Sequence, residues 1–132
     1  MKTLAVLLIS LTIASCGVRT KVEPLRGAAF VPSHNQPVCL FAGGLPSEFK
    51  FIELGTIKAT KRTYGSTDEL TSGMADEARG LGADAIINMQ AGQRFKGPLP
   101  WRITSPTGVG TAIKLTPESP KLECGTIGGR IA

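Results

Sequence analysis

The sequence predicts an α+β fold: a small sheet of about four strands with one covering helix, built on a βαβ unit. Three observations lead there. Leu70, Met74, Ala78 and Leu81 recur at helical spacing and share one face. Apolar runs with strand character flank that helix on both sides. The 16 Gly and 9 Pro of this 132-residue chain favour turns and short elements over a helical bundle.

The first 15 residues stand apart from the fold. Met1-Lys2-Thr3 supplies a positive start, and Leu4 to Ala14 is an unbroken apolar or small-residue stretch. It is too short for a membrane span, which takes about 20 residues, and has the length of a secretory core. Removing Lys2 leaves 14 basic side chains against 10 acidic ones, a net charge of roughly +4.

Ile13-Ala14-Ser15-Cys16 follows. It resembles the lipobox of bacterial lipoproteins: an aliphatic residue, two small residues, then the acceptor cysteine. A thiol is needed to receive a diacylglyceryl group, and small side chains give a peptidase access to the bond before it. The resemblance implies lipidation of Cys16. Each buried methylene contributes ~0.8 kcal/mol, so one acyl chain binds a membrane marginally and several hold it firmly. Gly17 stands where Asp would resemble the inner-membrane retention signal, which favours the outer membrane in a Gram-negative host. The alternative is ordinary secretory cleavage with Thr12 and Ala14 as the small pair.

Residues 16–37 carry Pro24, Pro32 and Pro37, several charges and little periodicity, and read as a linker holding the domain off the membrane. The apolar patch Ala28-Ala29-Phe30-Val31 is expected to dock on the domain. The domain itself spans 38–124. Val38-Cys39-Leu40-Phe41 is a short strand, ended by Gly43-Gly44 and Pro46. Phe51 to Thr60 is a second, with Ile52 and Leu54 on one side and Phe51, Ile57 and Ala59 on the other, a pattern for a strand covered on both faces.

Ser66 and Glu69 fit a capping box opening a helix over 67–80, with Asp68 and Glu69 complementing its dipole. Gly80 and Gly82 supply the stop, and Gly73 marks a close contact. Ala85, Ile87, Met89 and Ala91 alternate with Ile86, Asn88 and Gln90 as a half-buried strand. Strand, helix, strand at this spacing is a βαβ unit with parallel strands. Residues 92–110, with Pro98, Pro100 and Pro106, read as a long turn or flap. Gly110 to Leu115 offers a further strand, and 125–132 a flexible tail.

With Cys16 assigned to lipid, Cys39 and Cys124 remain as an even pair in an oxidising compartment, and a disulfide between them is expected. It would close a loop of about 85 residues, which the chain-entropy model values at roughly 4–5 kcal/mol. Two unpaired cysteines are the alternative. A zinc site is disfavoured, because neither thiol has His or Cys neighbours in sequence.

The run Asp76-Glu77-Ala78-Arg79-Gly80-Leu81-Gly82-Ala83-Asp84-Ala85-Ile86-Ile87 resembles a recurrent bacterial passage in which a helix hands over to a parallel strand. It is similar to the small α/β domains of the YbjQ-like family and of the Rcs stress-sensor outer-membrane lipoproteins. The lipobox and the later Trp101 and Gly110-Thr111-Ala112 are in keeping with that group. The resemblance implies a small envelope domain. Its residues form a packing and turn signature rather than an active site.

Catalytic machinery is not legible. His34 is the single histidine and falls in the linker, whereas a triad needs a rigid scaffold. Glu53, Asp76, Glu77 and Asp84 could pair as carboxylates, but Asp76 and Glu77 read more simply as a solvated helix face. Gly108-Val109-Gly110 is a turn rather than a phosphate loop. No enzyme, cofactor or metal is expected. Two basic clusters are candidate partner contacts: Lys58, Lys61 and Arg62 beyond the second strand, and Arg94, Lys96 and Arg102 around Trp101 in the flap. They suit an envelope protein or an anionic envelope polymer, the alternative being ordinary solvated charge; nucleic acid does not belong in that compartment. The function expected is a non-enzymatic, membrane-anchored envelope lipoprotein that binds or senses an envelope component. The alternative is a structural accessory subunit of an outer-membrane or secretion assembly.

Overall fold

The computed structural model describes residues 17–27, 30–62, 65–97 and 103–132. In chain order it contains β1 (Arg19–Pro24), β2 (Cys39–Leu40), β3 (Phe51–Thr60), α1 (Thr67–Leu81), β4 (Ala85–Lys96), β5 (Ile103–Leu115) and β6 (Arg130–Ile131). All strands join one mixed sheet in the order β1-β3-β5-β4-β2-β6. The expectation of about four strands is therefore corrected to six among the described residues, which are mostly sheet with a single helix on it.

The additional strands lie where sequence pattern is weakest. β1 falls inside the segment read as linker and β6 inside the segment read as tail. β1 alternates Arg19, Lys21 and Glu23 with Thr20 and Val22, a charged edge strand with little apolar signal. β6 has two residues, paired antiparallel to β2.

The βαβ expectation changes in a second way. β3 and β4 are both antiparallel to β5, so they run parallel to each other, but β5 lies between them. The parallel ladder is instead β2 with β4, Cys39 opposite Ala85. The residues read as a flap extend β4 to Lys96 and begin β5 at Ile103. Pro106 is tolerated there because β3 has ended. Its carbonyl accepts the Lys61 amide at 3.1 Å, so its own nitrogen faces the same side, where no ladder donor is required. Gly108-Val109-Gly110 lies within β5 and is not a turn.

Two bulges set the faces. Glu53 opposes Ile113 and Gly55 opposes Ala112, which leaves Leu54 as an extra residue. The alternation flips there. Leu54, Ile57 and Ala59 all enter the helix-side core, while Phe51 faces the other way, so the pairing of faces expected for this strand is corrected. In β4, Ile87 opposes Thr111 and Gln90 opposes Val109, again with one residue extra. Asn88 adopts a left-handed φ of 51°, and the Asn88 and Met89 amides donate to Gly43 and Phe41 carbonyls.

The helix-side core joins Leu70, Met74, Ala75 and Ala78 to Ile57, Ala59, Ile86 and Ala112. Gly110 lets Ile86 and Met74 lie against the β5 backbone. On the opposite face, Cys39, Phe41, Ala85, Ile87, Ile113 and Cys124 form a smaller core covered by Leu45, Leu122 and Ile127. Cys39 and Cys124 stand at disulfide distance, their Cα atoms 5.7 Å apart.

Ser66 occupies the N-cap position of α1 without a side-chain cap bond, so the capping box does not form. The Glu69 carboxylate pairs with Lys61 instead. Gly82 ends the helix at φ 78°, with Val31 and the Pro32 carbonyl packed where a Cβ would point. Val31 thus docks on the domain as expected, whereas Phe30 is 93% exposed. Gly73 faces Val18 and Thr20, which lets β1 pass close under the helix.

Candidate functional site: the open face of the sheet

The smaller core covers the half of the face opposite the helix where β3 and β4 begin and β5 ends, beside β2. Beyond it, Lys58, Gln90 and Arg94 are exposed and Thr60, Thr107 and Val109 half-buried, while Ser105, opposite Arg94, is buried. The β4 bulge is what turns Gln90 and Arg94 to this side, and the β3 bulge does the same for Lys58 and Thr60. Together with Thr107 and Val109 from β5 they line an open groove of about 580 Å³.

β1 extends the face. Its register sets Arg19 beside Thr60 and Lys21 beside Lys58, and directly opposed residues in an antiparallel pair share a face. Arg19, Lys21, Lys58 and Arg94 therefore project from one surface. Glu23 is the acidic group on this side of β1, 3.3 Å from Lys21 and 3.2 Å from Lys58. The hydrogen bond from Lys58, then that from Lys21, holds the Glu23 carboxyl below the ordinary glutamate value. Among the described residues, Arg19 and Arg94 make no ion pair.

The structure thus brings Lys58 and Arg94, read from two separate clusters, onto one groove. Lys61 is diverted to the helix start by its pairing with Glu69. Arg62 is exposed in the turn after β3, and Lys96 closes β4 with its backbone opposite Ile103. Cys16, Trp101 and Arg102 lie outside the described residues. Sequence reasoning missed Arg19, Lys21, Thr60, Gln90 and Thr107. The alternation of Arg19, Lys21 and Glu23 with Thr20 and Val22 was the available signal for the first two. The others depended on the bulges.

The remaining polar residues serve the scaffold. The His34 Nε2 donates to the Ala83 carbonyl at 2.6 Å and its Nδ1 accepts the Gln36 amide at 3.0 Å, so both ring nitrogens are engaged. Asp84 receives the Leu115 amide and the Lys114 ammonium. Glu77 accepts the Thr20 hydroxyl at 2.6 Å, and Asp76 pairs with Arg79. Arg79 also donates to the Gln36 and Ala132 carbonyls. Among the described residues, no three His, Cys, Asp or Glu side chains are grouped to hold a metal ion, and no helix is long and apolar enough to cross a membrane.

No family model, curated protein or solved structure matches the chain. The open face of the sheet is a shallow, hydroxyl-lined, cationic surface whose chemistry suits an anionic partner.

Proposed function

We propose that the chain is a non-enzymatic envelope lipoprotein, acylated at Cys16, anchored in the outer membrane and facing the periplasm, whose domain binds or senses an envelope component through the open face of its sheet. The observation that carries this reading is the Ile13-Ala14-Ser15-Cys16 passage after an apolar stretch, ending three residues before β1. The resemblance of residues 76–87 to small envelope domains supports it. So does the Cys39–Cys124 pair at disulfide distance, which suits an oxidising compartment.

The test is the mass of the protein extracted from cell membranes. Acyl chains on Cys16, lost together with membrane retention in Cys16→Ser, are the expected result. A bare thiol at residue 16 in a water-soluble product overturns the reading.

An accessory-subunit role is the second reading. It draws on the apolar side chains left in solvent at the far end of the sheet: Phe30, Leu25 at 50% and Ile52 at 40% exposure. It requires a stable complex that co-purifies from unstressed cells, whereas a sensor is recovered free.

A further inference from the structure

The chain enters the sheet at its basic end. β1 begins with Arg19 opposite Thr60 and finishes with Pro24 opposite Gly55. Thr60 lines the groove with Lys58, Arg94 and Thr107. Covalent geometry allows at most ~3.6 Å per residue, so the Cys16 Cα lies within about 11 Å of the Arg19 Cα. An anchor at residue 16 is therefore tethered within that reach of the strand end that borders the groove, and the segment between β1 and β2 adds no reach because β1 is already in the sheet.

We infer that this face is a docking surface for the phosphate-bearing headgroups of anionic phospholipids in the membrane that holds the chain. The inference rests on the anchoring proposed above and names the component that the domain contacts. Charge complementarity is the first argument. Arg19, Lys21, Lys58 and Arg94 outnumber Glu23, and Glu23 sits opposite Thr56, farther along β1 from the anchored end. The Thr60 and Thr107 hydroxyls and the Gln90 amide add neutral donors for phosphate oxygens.

Tether length is the second argument. A connection of two residues, Gly17 and Val18, keeps headgroup phosphates at high local concentration around the groove. It does not carry the domain out to a distant polymer. Cationic side chains within a Debye length of an anionic surface are attracted to it, and salt screens that attraction.

The test uses the native acylated protein in lipid nanodiscs, either of phosphatidylcholine alone or with phosphatidylglycerol, followed by amide resonances. Backbone amides of Thr60, Gln90, Arg94 and Thr107 are expected to shift in the anionic discs and not in the neutral ones, and high salt is expected to reverse the shifts. Lys58→Glu with Arg94→Glu should abolish them while the protein stays in the disc with a dispersed spectrum. Unperturbed groove amides in an acylated, disc-bound protein overturn the inference and leave the anchoring reading standing. Groove shifts produced by soluble peptidoglycan fragments, with none from anionic discs, overturn it in favour of a polymer partner. A protein that carries no acyl group and does not enter discs overturns both.

Discussion

Asp84 accepts the Leu115 amide on Oδ2 at 2.9 Å and the Lys114 ammonium on Oδ1 at 3.0 Å, so one carboxylate ties the exit of α1 to the end of β5. The backbone of the same residue continues the knot. Its amide donates to the Ile113 carbonyl and its carbonyl accepts the Cys39 amide. Asp84→Ala strips the Leu115 amide of its acceptor and should lower stability by about 2 kcal/mol, in the range for a hydrogen bond to a charged group. Asp84→Asn keeps an acceptor and should cost less than half of that. Urea unfolding of the two variants, compared at equal slope, decides the point.

At Gly82 the penalty is steric as well as conformational. The backbone is left-handed there, and a Cβ would meet the Pro32 carbonyl at 2.6 Å. Gly82→Ala should destabilise by about 2 kcal/mol or more, whereas Gly80→Ala, where nothing lies within 4 Å, should be neutral or stabilising. Thermal unfolding of the pair measures the contrast.

The Cys39–Cys124 pair spans 85 residues of chain. Its reduction should cost up to about 4–5 kcal/mol on the chain-entropy model, read as a drop in melting temperature under reductant. The double variant Cys39→Ala/Cys124→Ala should be insensitive to reductant. Free thiols in the oxidised, unfolded native protein would contradict the pairing.

Glu23 titrates below its ordinary value because Lys58, and next Lys21, favour the charged carboxylate. A carboxyl lowered in the folded state contributes stability above its unfolded value and loses it as pH falls through the folded one. The β1–β3 edge should therefore weaken only in the acid range. Lys58→Met should move the Glu23 midpoint upward more than Lys21→Met does, as followed by carboxyl-carbon resonances across an acid titration.

The helix and its stop were legible because they depend on local chemistry: one apolar face, Leu70 to Leu81, and a glycine where the backbone turns left-handed. The Cys39–Cys124 pair was legible by elimination once Cys16 was set aside. The strand count was not. Arg19-Thr20-Lys21-Val22 carries one large apolar side chain, and its place in the sheet comes from pairing with β3 rather than from its own pattern. The face of Lys58 and Arg94 was hidden for another reason. A bulge inverts every side chain beyond it, so the extra residues at Leu54 and near Asn88 had to be located before either side chain could be assigned a direction. Glu69 shows the same limit at short range, since Lys61 competes for the carboxylate that a capping box would use.

A central strand slotted between two earlier ones has a consequence for assembly. β3, α1 and β4 emerge from synthesis before β5, yet β3 and β4 have no hydrogen bonds to each other and acquire a shared neighbour only when β5 arrives. Until then the helix has no continuous floor to rest on. Pairings this distant in sequence are slow to form, so the sheet stays open at its centre until residue 115 has been made, and its closure then proceeds from the middle outward.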